Sequence, residues 1–153
     1  MKIKNFSEIA EYLLDKKFNK IFLITGKNSY FLSGADKIFD EILKQKISQR
    51  YFKRELIPKF KELKEILQII KNFQPDLILA VGGGTVIDYA KCVNSLEYDV
   101  DEESIKLGEI KFKKKAHLCA IPTTAGSGAE VTENAVIYLN NIKYSIEDRK
   151  SVV

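Results

Sequence analysis

Apolar positions fall in two rhythms along the chain. Short apolar runs lie within residues 20–25, 77–81 and 116–121, and the second of them is unbroken. Runs of that length without alternation suit strands buried on both faces of a parallel sheet. Elsewhere apolar residues recur every three or four positions, the spacing of one helical face. Ile9, Leu13 and Leu14 predict a first helix, capped by Asn5 or Ser7 and ending near Lys17. A second begins near Gly34-Ala35-Asp36 and carries Ile38, Phe39, Ile42 and Leu43. A third starts at Pro58, a residue suited to the first helical turn, and carries Phe60, Leu63, Leu67 and Ile70. A fourth carries Val86, Ala90 and Val93 and is expected to be capped by Thr85.

The remaining segments are more polar. Residues 49–56 read as a strand whose charges place it at a sheet edge, and Gly26-Lys27-Asn28-Ser29 reads as a turn. Residues 97–115 are acidic first and basic later, as in a surface loop. Residues 135–139 and 143–146 predict a β-hairpin across Asn140-Asn141, where asparagine tolerates positive φ. Strands alternating with amphipathic helices give an α/β fold: an open, mainly parallel sheet with helices on both faces, plus the hairpin.

Composition narrows the function classes. The 153 residues, 45% of them hydrophobic, suit one domain (1–153) with its own core. The 25 basic and 21 acidic residues, net +4, are too evenly spread for a nucleic-acid binder. Lys111-Phe112-Lys113-Lys114-Lys115 reads as a solvated connection. No apolar run is long enough to span a membrane, and Met1-Lys2-Ile3-Lys4-Asn5 lacks the apolar centre of a signal peptide. Cys92 and Cys119 have no metal-ligand or CxxC spacing and read as small buried residues. A cytoplasmic location is expected.

Three turns rich in glycine or threonine each follow an apolar strand: Thr25-Gly26-Lys27, Gly82-Gly83-Gly84-Thr85 and Thr123-Thr124-Ala125-Gly126-Ser127-Gly128. In an open parallel sheet, such turns gather at the carboxyl edge, where ligands bind. A buried strand, a turn without side chains and a helix N-terminus together present backbone N–H groups to a phosphate. GxGxxG is incomplete, because Ile87 stands where the third glycine belongs, and GxxxxGK[ST] is absent. A purely structural role for the three glycines, a tight turn needing positive φ, is the alternative.

Gly82-Gly83-Gly84-Thr85-Val86-Ile87-Asp88-Tyr89-Ala90-Lys91 resembles the GGGSxxDxAK motif of the iron-containing (group III) alcohol dehydrogenases. Residues 122–132, PTTAGSGAEVT, resemble that family's PTTAGTGSEVT, in the same order and at a similar separation. The resemblance covers the family's N-terminal nucleotide-binding domain and implies a Rossmann-like, dehydroquinate synthase-like fold that binds NADP(H) or NAD(H). By it, Gly82, Gly83, Gly84 and Thr85 would cradle the cofactor pyrophosphate, and Asp88 would lie beside the nicotinamide. Thr123, Thr124 and Ser127 match positions whose hydroxyls meet the cofactor, and Lys143 resembles the lysine that reaches the nicotinamide ribose.

Two departures from the family pattern carry expectations of their own. Many members place an Asp after the first strand, where it accepts from the adenosine ribose. Here Gly26 stands there, followed by Lys27, Asn28 and Ser29, a set that would accept a 2′-phosphate, so NADP is favoured over NAD. Members also hold iron or zinc through one Asp and three His of a helical C-terminal domain. This chain ends at Val153, and its one histidine, His117, sits in an apolar run and reads as a packed side chain. No metal is therefore expected in this chain, which alone should be inactive, as a fragment or a shortened product. A non-catalytic nucleotide-binding or regulatory module, and a glycerol or polyol-phosphate dehydrogenase of the same superfamily, are the alternative functions. A missing C-terminal domain, or self-association, would cover the exposed sheet edge.

Overall fold

The computed structural model describes residues 6–15 and 17–147. Helix α1 (Phe6–Leu14) leads into strand β1 (Lys20–Gly26), then α2 (Lys27–Leu32), α3 (Ala35–Leu43) and β2 (Ile47–Lys53). Helix α4 (Phe60–Phe73), β3 (Leu77–Gly82), α5 (Gly84–Ser95) and α6 (Glu102–Leu107) follow. The described chain closes with β4 (His117–Pro122), β5 (Ala135–Leu139) and β6 (Ile142–Ile146).

Four strands form one parallel sheet in the order β2-β1-β3-β4, and β5 and β6 pair as an antiparallel hairpin. The chain leaves β1 toward β2 on one side, then crosses back to place β3 on the other. That reversal makes a switch point between the carboxyl ends of β1 and β3.

Side-chain alternation along the strands builds two cores. Phe22, Ile24, Ile78 and Ala80 face α4, α5 and the hairpin. Ile21, Leu23, Leu77, Leu79 and Val81 face α1, α2 and α3. Burying each of these side chains, Ala80 apart, contributes about 1.5–3 kcal/mol, so the two central strands anchor the fold.

Several element ends differ from the sequence expectation for identifiable reasons. Helix α1 stops at Leu14, short of Lys17, because the Asp15 carboxylate accepts the Lys17 amide at 3.0 Å and the chain turns to bury Phe18. Ser7 lies inside α1 instead of capping it, and Asn5 lies outside the described residues. Residues 27–29 are the first residues of α2, not a free turn. Strand β2 is an edge strand as expected, but ends at Lys53, because the Arg54 and Glu55 amides both turn to the Glu62 carboxylate, at 2.7 and 3.1 Å. Helix α4 begins at Phe60 and not Pro58, whose carbonyl instead accepts the Tyr138 amide at 2.7 Å.

Residues 97–115 hold the short helix α6, which the sequence reading missed. Asp101 caps it by accepting from the Ser104 amide at 2.8 Å, and Gly108 ends it at φ 70°. The hairpin turn behaves as expected: Asn140 and Asn141 adopt φ of 49° and 67°.

Candidate functional site

Parallel pairing brings the ends of β1, β3 and β4 to one edge, with Thr25 beside Val81 and Gly82 beside Pro122. The fully buried Thr25 hydroxyl donates to the Val81 carbonyl and so ties the two strands at the switch point. The Thr123 amide then donates to the Gly82 carbonyl at 3.0 Å, carrying the β4 turn over the glycines.

The glycine turn leads straight into α5. Gly83 is its N-cap, in an extended conformation (φ −81°, ψ −172°), and no side chain caps the helix. The first helical amides, of Gly84 and Thr85, have no acceptor within the helix. Thr85 is therefore not the cap expected from the sequence: its hydroxyl donates to the Leu56 carbonyl at 2.8 Å and fastens the β2–α4 loop to the turn.

None of the three glycines has positive φ, so the tight-turn alternative does not explain them. Space does. A Cβ on Gly82 would lie 2.6 Å from Val86 Cγ2, one on Gly83 would lie 3.0 Å from Thr124 Oγ1, and one on Gly84 would lie 3.3 Å from Ser127 Cβ. The same contacts set Thr124 and Ser127 directly against the turn. Beside them, the Thr123 Oγ1 is buried and has no hydrogen-bond partner among the described residues. A buried hydroxyl without a partner is costly in a finished protein and is expected where a ligand supplies the bond.

Asp88 lies one turn further along α5, toward the hairpin. Burial raises its carboxyl above the ordinary aspartate value, while Lys91, the Val136 amide and Lys143 act in the opposite direction. Lys143, exposed on β6 opposite Tyr138, is thus near enough to Asp88 to stabilise its charge. The structure brings these two together, on the hairpin side of the glycine turn.

Gly26, Lys27 and Asn28 sit on the other side, at the end of β1. Lys27 and Asn28 are exposed, and the Ser29 hydroxyl donates back to the Gly26 carbonyl at 3.2 Å.

Sequence reasoning missed two contributors. Lys91, within the quoted motif, donates its ammonium to the Thr132 carbonyl at 2.6 Å, the Thr132 hydroxyl at 3.1 Å and the Asn134 carbonyl at 2.9 Å. It pins the far end of the segment that covers the glycines. Lys53 ends β2 opposite Gly26, and was hidden because the strand was read as running through to Leu56.

His117 is exposed at the start of β4, its ring edge-on to Phe18 at 5.3 Å. Among the described residues no three His, Cys, Asp or Glu side chains gather where they could hold a metal ion. They do not fit the iron or zinc set of the resemblance. No helix among them is long and apolar enough to cross a membrane.

An open parallel sheet with helices on both faces and a switch point at its carboxyl edge defines the doubly wound α/β class of domain. Within that class the family that matches, over residues 2–152, is iron-containing alcohol dehydrogenase, and the chain belongs to that family. It is 33% identical over 150 residues to the long-chain primary alcohol dehydrogenase AdhA of Thermoanaerobacter ethanolicus, covering 93% of this chain and 37% of that protein. An alcohol dehydrogenase of Thermococcus barophilus is 39% identical over 100 residues, which are 58% of this chain and 26% of that protein. The crystal structure of an iron-containing alcohol dehydrogenase from Thermotoga maritima superposes with a TM-score of 0.79 at 26% identity, over 93% of this chain and 41% of that one. The chain thus spans well under half the length of these relatives.

Proposed function

We propose that this chain is the cofactor-binding domain of an alcohol dehydrogenase-like oxidoreductase and binds NADP(H) in preference to NAD(H). The buried, unpartnered Thr123 hydroxyl beside three closely packed glycines carries the proposal. Among the described residues none bonds that hydroxyl, whereas a dinucleotide at the turn would.

In this reading the free amides of Gly84 and Thr85 receive the pyrophosphate, helped by the positive end of the α5 dipole. Thr123, Thr124 and Ser127 direct the cofactor along the edge, and Asp88 with Lys143 holds the nicotinamide end. Gly26, Lys27 and Asn28 meet the adenosine ribose, where a cation without a carboxylate favours a 2′-phosphate. The bound cofactor supplies hydride transfer between an alcohol and a carbonyl. The chain's residues orient it and stabilise its charge.

The rest of the catalytic site is assigned to a further domain. Leu56, 88% exposed beside Thr85, and Val131, 73% exposed in the covering segment, offer apolar surface for it to cover.

Titrating NADPH into the chain and into a Gly83→Asp variant tests the proposal. The wild type is expected to bind, and the variant to lose binding while keeping its helical and sheet signal. Absence of NADPH and NADH binding by the wild type, or unchanged binding by the folded variant, would overturn it.

A further inference from the structure

We infer that Lys53, together with Lys27, forms the seat for the cofactor's 2′-phosphate beside Gly26. The inference rests on the dinucleotide reading above and adds a specificity residue from a different strand.

Lys53 is the last residue of β2 and is in register with Gly26, the last residue of β1. The pyrophosphate turn lies at the end of β3, on the opposite side of β1. A dinucleotide whose pyrophosphate sits at α5 and whose adenosine ribose reaches the end of β1 therefore presents its 2′ position toward β2. A Cβ built on Gly26 would meet Ser29 Oγ at 2.8 Å and lie 3.7 Å from Lys53 Cε, so the lysine stem runs directly beside the end of β1. A carboxylate in place of Gly26 would sit against that lysine and cancel its charge.

Neighbouring cations are already engaged. Arg50 pairs with Asp40 and stacks over the Tyr30 ring, and Arg54 pairs with Glu65. The Lys53 ammonium, by contrast, donates to a neutral acceptor, the Glu55 carbonyl, at 2.9 Å. The Glu55 carboxylate is itself taken up by Lys59 at 2.7 Å. An ammonium has three hydrogens, so that one bond orients Lys53 and leaves two donors for phosphate oxygens. Lys27 opens α2 directly after Gly26 and supplies a second positive charge from the start of that helix.

The test compares wild type, Lys53→Gln and Lys53→Arg in fluorescence titrations with NADPH and NADH, and in calorimetry with 2′,5′-ADP and 5′-ADP. Lys53→Gln is expected to weaken NADPH and 2′,5′-ADP about tenfold, as for loss of one charge-assisted bond, with NADH and 5′-ADP nearly unchanged. Lys53→Arg should keep the wild-type preference. Equal weakening of both members of each pair, or none, would overturn the inference while leaving the dinucleotide reading standing. A wild type that binds neither dinucleotide would overturn both.

Discussion

The Tyr89 hydroxyl donates to Glu62 Oε2 at 2.8 Å, joining α5 to α4 through a carboxylate only 2% exposed. Tyr51 donates to the same carboxylate at 3.0 Å, and the Arg54 and Glu55 amides complete the set. Burial alone raises this carboxyl, but the four donors outweigh it, and the net effect is a value below the ordinary 4.5. The loop that presents Leu56 to Thr85 is therefore held in place by an ion, not by apolar packing.

A carboxyl depressed on folding stabilises the protein above its unfolded value, and that stabilisation is lost as pH falls through the folded value. Glu62→Gln is expected to cost about 2–4 kcal/mol near neutral pH, because donors built around an anion lose it. It should also flatten the decline in stability below about pH 4.5. Urea denaturation across an acid series measures both; a variant with the wild-type pH profile would contradict the role given to Glu62.

Gly82 and Val86 are a matched pair. A methyl on Gly82 would lie 2.6 Å from Val86 Cγ2, and Val86 is fully buried. Gly82→Ala is expected to destabilise by about 1–3 kcal/mol through overpacking. Combined with Val86→Ala, the loss should fall short of the sum of the two single changes, because each relieves the other. Denaturant midpoints of the four proteins give the coupling, and strict additivity would rule out the steric account.

The Asn140-Asn141 turn depends on two residues with positive φ. Asn141→Val is expected to cost about 1–2 kcal/mol, since a β-branched side chain is crowded in the left-handed region. Asn141→Gly should be neutral or slightly stabilising. Thermal unfolding of both variants provides the comparison.

Cys92 and Cys119 are both buried and unpaired. Burial pushes the Cys119 thiol up to about 11 and raises that of Cys92 further, so neither forms a thiolate at neutral pH. A disulfide reagent such as Ellman's should label neither in the native protein and both once it is unfolded. Rapid labelling of native protein would show that the sheet core opens.

Much of the fold was legible because the signals were redundant. The run at residues 77–81 is apolar on every side and lands in the sheet centre, where all five side chains are fully buried. Asn140-Asn141 carries its own turn chemistry. What escaped depends on groups distant in sequence. Thr85 has the composition of a helix cap, yet the Leu56 carbonyl, brought near only by folding, takes its hydroxyl. The end of β2 is set by Glu62, eight positions beyond Arg54 and in another element, so Lys53 could not be placed from its neighbours. At the glycine turn, the alternative of positive φ could be posed from residue type alone, whereas crowding by Val86, Thr124 and Ser127 is visible only in the folded chain.

Lys91 fastens residues 132 and 134, and the strand that follows, β5, packs against the same helix. The segment that begins over the glycines is thus stitched back onto the helix whose first turn faces them. Such a loop resembles a bow with both ends tied to one stave. Tension introduced at the glycines is shared by the helix, the segment and the hairpin together, so an occupant there should raise the melting of this whole half of the domain as one unit instead of stiffening a single loop.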